Sequence, residues 1–337
     1  MQSYPNENKG GDRMRFDGLV GNERVKQQLA ADIDSGRFPH ALLVEGEEGS
    51  GRRTLALTVA RAAVCSGDGE KPCGICGDCR KSEHPDITVY GDEGAISVDT
   101  VRALRQEAHV MPNEAAHRVM ILAGAQTMLP AAQNALLKIL EEPPRSVIFI
   151  LICENRTQLL ETIRSRCVCV TMESVDWEEA APVLRAKLPR ADEEELFRAH
   201  NLFGGHIGRV IDGMQDGTFR RVLELTPQFA EAVIAPTELA LLRLTGALEK
   251  DKELTAGVLA GLALVFRDAL TLAYGGRACL STAPDTAKAL AARLSGKRLM
   301  ALSQQVAALQ QAQRRNMNNT LFLARMSACL REAAEVG

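Results

Sequence analysis

Three runs in this chain are apolar at every position: Ala41-Leu-Leu-Val44, Val119-Met-Ile-Leu122 and Val147-Ile-Phe-Ile-Leu151. A strand with one wet face alternates apolar and polar residues, so a run without alternation must be covered on both faces. Helical patterns separate the runs, which is what joining parallel strands demands. One such helix is expected over about Arg52 to Cys65, and Val168-Cys-Val170 reads as a short last strand. The fold class is therefore α/β, with a parallel sheet layered between helices over residues 14–173.

With 337 residues the chain exceeds one ordinary core. After Val175 the strand signal disappears. Residues 174–214 carry short helical patterns broken at Gly204-Gly205, enough for a small helical lid domain. Residues 218–337 read as all helix, punctuated near Gly275-Gly276 and Gly296, with a last helix from about Asn319 to Ala334 that spaces Leu323, Met326 and Leu330 on one side. Residues 1–13 are polar and glycine-rich and read as a flexible tail without a secretory signal. The longest clean apolar run, Val147 to Cys153, is far short of the ~20 residues of a membrane span. The expected location is cytosolic.

The segment Gly46-Glu-Glu-Gly-Ser-Gly51-Arg52-Arg53-Thr54 lies between a strand and a helix, where a phosphate-binding loop belongs. Gly46, Gly49 and Gly51 suit that loop, but Arg52 stands at the lysine position and Arg53 at the magnesium-ligating hydroxyl. A guanidinium has no lone pair for a metal. Thr54 comes one residue late, about 100° further round the helix. Glu47 and Glu48 add negative charge beside any phosphate. The strand at Val119–Leu122 should end on an acidic pair that holds magnesium and activates water; it ends on Ala123-Gly124 instead. The two losses are independent, so hydrolysis is not expected, and nucleotide binding is expected to be weak or absent.

Cys65, Cys73, Cys76 and Cys79 supply four thiols within fifteen residues, with Pro72, Gly74 and Gly77 to turn the chain. In a reducing compartment such spacing points to structural zinc in a closed four-sulfur site rather than to disulfides. The other five cysteines, at 153, 167, 169, 279 and 329, are ungrouped, and no Ser/His/Asp or Cys/His catalytic arrangement is legible. A net charge of −3 and only 4% aromatic residues argue against autonomous nucleic-acid binding.

Phe16-Asp-Gly-Leu-Val-Gly-Asn22, Arg37-Phe-Pro-His-Ala-Leu-Leu43, Asn134-Ala-Leu-Leu-Lys-Ile-Leu-Glu-Glu-Pro-Pro144 and Ser165-Arg166-Cys167 together resemble the bacterial clamp-loader AAA+ family, over about Phe16 to Arg209. The resemblance implies an AAA+ P-loop-type domain, a helical lid and a helical C-terminal collar that joins five subunits in a ring. It implies that Arg166, supported by Ser165 and Cys167, reaches the γ-phosphate held by a neighbouring gamma or tau subunit. Arg209, in His206-Ile-Gly208-Arg209, matches the lid arginine that senses nucleotide in its own subunit. A zinc module with this cysteine spacing recurs in the family. The implied partners are gamma/tau and delta subunits, and through them the sliding clamp and primer-template DNA. Two other functions stay open on the residues alone: an active gamma-like ATPase using Arg52 or Arg53, and a zinc-dependent nucleic-acid-binding module.

Overall fold

The computed structural model describes residues 14–34, 38–92, 94–313 and 318–335. The tail expected at 1–13, and Arg37 of the second motif, lie outside the described residues. The chain divides into two compact units, Met1–Val175 and Asp176–Gly337.

The first unit runs α1 (Glu23–Asp34), β1 (Ala41–Gly46), α2 (Arg52–Val64), β2 (Ile87–Tyr90), α3 (Val98–Ala108), β3 (Arg118–Ala123), α4 (Pro130–Glu141), β4 (Val147–Cys153), α5 (Glu161–Arg164) and β5 (Val168–Met172). The strands form one sheet in the order β2-β3-β4-β1-β5. Every pairing is parallel. The all-apolar runs are explained by the two faces of this sheet. Leu42, Val44, Val119, Ile121, Ile148 and Ile150 pack on one side with Leu29 of α1 and Leu55 and Val59 of α2. Leu43, Met120, Leu122, Phe149 and Leu151 pack on the other with Leu104 of α3, Leu136 of α4 and Ile163 of α5. Alternate side chains of one run thus belong to two different cores.

The apolar-run criterion does not find β2. This edge strand is only half-buried, and it mixes in Thr88 and Tyr90, whose hydroxyls donate to Glu107 of α3 at 3.3 and 2.6 Å. An edge strand paired on one side need not be apolar throughout.

Among its described residues the second unit is helical: α6 (Trp177–Lys187), α7 (Glu193–Leu202), α8 (Ile207–Gln215), α9 (Thr218–Val233), α10 (Leu239–Gly246), α11 (Lys252–Ala273), α12 (Pro284–Arg293), α13 (Gly296–Gln313) and α14 (Asn319–Glu335). The expected breaks at Gly204-Gly205, Gly275-Gly276 and Gly296 fall between helices or at a helix start, and Leu323, Met326 and Leu330 are buried. α11 is the hub, packed against α9, α12 and α13. It is long and apolar enough to cross a membrane by length and composition, but half of that stretch is buried inside this unit. It meets α9 closely: a Cβ on Gly261 would stand 2.3 Å from Thr226 Oγ1, and one on Gly257 2.6 Å from Val222 Cγ2. Glycines four apart on one helix face let two backbones approach.

Candidate functional site

In a parallel sheet all strands finish at the same edge, and ligands of such folds gather there. β1 ends in the glycine loop, β3 in Ala123-Gly124 and β4 before Glu154. Gly49 and Gly51 have φ of 72° and 90°, the left-handed region that glycine enters without strain. The loop therefore turns into α2 as a phosphate loop does, yet its cations are engaged within the chain. Arg52 Nη2 lies 3.6 Å from Glu154 Oε1, with the Arg52 side chain only 13% exposed. Arg53 donates from both Nη atoms to the two oxygens of Asp92 at 2.5 Å. That hydrogen bond raises the Arg53 pKa and holds the Asp92 carboxyl below the usual carboxylate range. Thr54 faces solvent. No carboxylate occupies positions 123 and 124. At this edge Arg52 and Arg53 are thus paired with carboxylates of the same chain.

Arg166 is elsewhere. α5 closes through Ser165, whose Oγ donates to Thr162 O at 3.2 Å, and the chain turns through Arg166 and Cys167 into β5. Arg166 Nη1 donates to the same carbonyl at 2.9 Å, and Nη2 donates to Glu141 Oε1 at 2.8 Å. The guanidinium side chain is 34% exposed, so it is held at the surface and not in the core. Cys167 packs against the second core, where burial pushes its thiol up to about 12, so it serves as packing and not as a nucleophile. The register sets Gly46 opposite Met172 and Leu42 opposite Val168. Gly46 thus leaves β1 beside the end of β5, while Arg166 precedes its start. Four residues of strand, about 13 Å, separate those ends. The structure brings the loop and the Ala123-Gly124 turn to one edge and puts Arg166 at the other.

The four cysteine sulfurs lie within 4.8 Å of one another. Cys65 and Cys76 Sγ are 3.9 Å apart, and Cys73 and Cys79 Sγ are 4.0 Å apart. Four sulfurs ~2.3 Å from a central zinc stand about 3.8 Å apart in a tetrahedron, so the residues fit a metal ion. Backbone N–H groups of Cys73, Cys76 and Cys79 donate to Cys65, Cys73 and Cys76 Sγ at 3.4, 3.3 and 3.3 Å, which favours thiolates. Burial works against charge on Cys76, but the N–H of Cys79 and the Ser66 hydroxyl outweigh it and bring the thiol to about 5; burial drives Cys79 up to about 12. Gly67 makes room for the cluster, since a Cβ there would meet Cys73 Sγ at 2.7 Å.

A second group, Asp78, His84 and Glu114, also has its ligand atoms close together. It is better described as a brace. The N–H of Asp86 donates to His84 Nδ1 at 3.1 Å, so the neutral ring carries its proton on Nε2, 3.3 Å from Asp78 Oδ1. Lys81 already bridges Asp78 and Glu114. The Ser66 hydroxyl, with Lys81 and His84, draws the Asp78 carboxyl down to about 2. Asp78 therefore ties the cysteine loop to the start of β2. Sequence reading missed this brace, and Asp86 with it. Asp86 is wholly buried and accepts from the N–H groups of Asn113, Glu114 and Ala115 at 2.6, 2.9 and 3.0 Å. The six histidines look scattered along the chain, and only folding sets His84 against Asp78.

Arg209 is in the first turn of α8, with its guanidinium 5.5 Å from the centroid of the Phe203 ring. That stacking gives it a packing role within the helical unit.

The sheet order, the glycine loop after β1 and the Ser-Arg-Cys turn before β5, followed by a helical unit, agree with the AAA+-type fold expected from the sequence. Residues 21–176 match the family model described as DNA polymerase III, delta subunit. The DNA polymerase III subunit delta′ of Bacillus subtilis is 30% identical over 62% of this chain and 61% of its own length. The delta′ subunit of Yersinia pestis is 37% identical over 42% of this chain and 44% of its length. The gamma/tau subunit of Mycobacterium tuberculosis H37Rv is 36% identical over 45% of this chain and 27% of its length. The matched part thus spans less than two thirds of each of these relatives. Among solved structures, a gamma subunit-related protein of Thermotoga maritima aligns with a TM-score of 0.44 and 19% identity, over 88% of this chain and 95% of that chain. Residues 21–176 are thus similar to DNA polymerase III delta′ and gamma/tau subunits.

Proposed function

We propose that this chain is a non-hydrolysing AAA+ subunit of a DNA polymerase III clamp loader. In this reading it is a cytoplasmic protein of the replicative holoenzyme that assembles with gamma/tau and delta subunits. Its own loop turns over no ATP. Arg166 completes the ATPase site of an adjacent gamma/tau subunit, and the assembly opens the sliding clamp and releases it on primer-template DNA. Zinc at Cys65, Cys73, Cys76 and Cys79 has a structural role, because four protein ligands leave no open position for chemistry.

One observation carries the reading: Arg166 lies partly exposed at the surface, before the start of β5 and so at the end opposite to this chain's own loop. An arginine about 13 Å of strand from that edge serves a phosphate brought by another molecule more readily than one in its own loop. A planar guanidinium fork suits an equatorial phosphate oxygen, and a finger of this kind is worth about 10³–10⁵ in rate. The test is DNA- and clamp-stimulated ATPase of the complex reconstituted with its gamma/tau and delta subunits. Arg166→Ala is expected to slow the site it serves by about 10³-fold or more while the complex still assembles. Wild-type turnover in the variant complex rejects the assignment.

A further inference from the structure

We propose that Glu141 is a positioning residue for Arg166, a role that rests on the trans-finger reading above. A free arginine samples many rotamers, and a finger that has to be searched for at each turnover is a slow finger. Here the search is already over within the isolated chain. Glu141 Oε1 accepts from Nη2 at 2.8 Å and Thr162 O accepts from Nη1 at 2.9 Å, so the guanidinium plane is fixed at two points. Five N–H donors leave three for a phosphate.

The two anchors belong to one rigid shelf. Glu141 is the last residue of α4, and Gln133, near the start of the same helix, is buried. Gln133 Oε1 accepts from the N–H of Leu160 at 2.8 Å, and its Nε2 donates to Met128 O at 2.9 Å and Gln158 O at 3.3 Å. α4 thus grips the arginine turn at two places eight residues, about 12 Å, apart: Gln133 sets where α5 begins and Glu141 sets where Arg166 ends. The Glu141 side chain is 49% exposed, so this ion pair adds little to folding stability. That weakness suits orientation, because water screens a carboxylate beside an incoming triphosphate.

The experiment is single-turnover phosphate release from the reconstituted gamma/tau, delta and full-length wild-type or variant complex, triggered by clamp and primer-template DNA, with assembly followed by size-exclusion chromatography. Arg166→Ala identifies the phase served by the finger. Glu141→Ala is expected to slow that same phase about tenfold with the ATP concentration for half-saturation unchanged. Glu141→Gln keeps the acceptor oxygen and restores the rate to within about threefold. Glu141→Asp keeps the charge but loses one methylene of reach, so it stays slow; it also serves if the alanine variant fails to assemble. The double variant Arg166→Ala/Glu141→Ala is no slower than Arg166→Ala, since a positioning residue has nothing left to position. A normal phase in both Glu141→Ala and Glu141→Asp, or a further slowing in the double variant, overturns the positioning role and leaves the finger standing. A normal phase in Arg166→Ala overturns both.

Discussion

At the loop, Arg52 and Arg53 are each matched by a carboxylate of the same chain, Glu154 and Asp92. Restoring the pattern by Arg52→Lys with Arg53→Thr is expected to leave the purified chain without magnesium-dependent ATP turnover, because Ala123-Gly124 still lacks the acids. Turnover above background in a phosphate-release assay would mean the loop alone was limiting. A second residue-scale consequence concerns Asp86. Burial opposes its charge, but the N–H groups of Asn113, Ala115 and Glu114 outweigh it and hold the carboxyl below the usual carboxylate range. A depressed folded-state pKa contributes stability that is present above the unfolded value, near 4, and lost as pH falls through the folded one. Asp86→Asn is expected to cost about 1.5–3 kcal/mol at neutral pH and to flatten the fall of melting temperature below pH 4. An unchanged acid profile counts against this account.

At the scale of elements, the cysteine loop and the α9–α11 contact each make a claim. If zinc holds the loop, the protein purified without chelator carries one zinc per chain by elemental analysis. Cys76→Ser or a strong chelator then lowers the melting temperature by several degrees or more, since such sites contribute directly to folding. Metal-free protein with chelator-insensitive melting removes zinc from the description. Gly261→Val places methyls where Thr226 already is, a small-to-large change of about 1–3 kcal/mol, or several degrees in a unit of this size. Thr226→Ala in the same chain relieves the clash, so the double variant is expected to recover part of the loss. Equal melting of the single and double variants shows the crowding lies elsewhere.

At the scale of the whole molecule, both units have fully buried cores of their own, from Leu43 and Phe149 in the first to Phe229 and Phe266 in the second. The net charge of −3 gives no general attraction for a polyanion. The chain by itself is therefore expected to bind duplex or primed DNA weakly, and to show its effect on DNA-stimulated turnover within the assembly. Tight, steeply salt-dependent binding of primed DNA by the isolated chain, read by fluorescence anisotropy, would favour a nucleic-acid module instead.

What the sequence determined on its own is what depends on residue type and near spacing. Apolar runs without alternation required a doubly covered sheet, because no wet face was available to them. An arginine in place of a magnesium-ligating hydroxyl, Arg53, cannot serve as that ligand whatever its surroundings. Four cysteines in fifteen residues needed only a few turns to meet. What only the tertiary structure decided joins residues far apart in the chain. β2 is hidden because an edge strand needs no fully apolar run. The Glu141–Arg166 and Asp86–loop contacts span 25 and 27 or more residues, and no local pattern marks such partners. The placing of Arg166 at the far end of β5 from the loop follows from strand order and direction. A side chain's neighbours across a sheet are set by the fold, not by its place in the sequence.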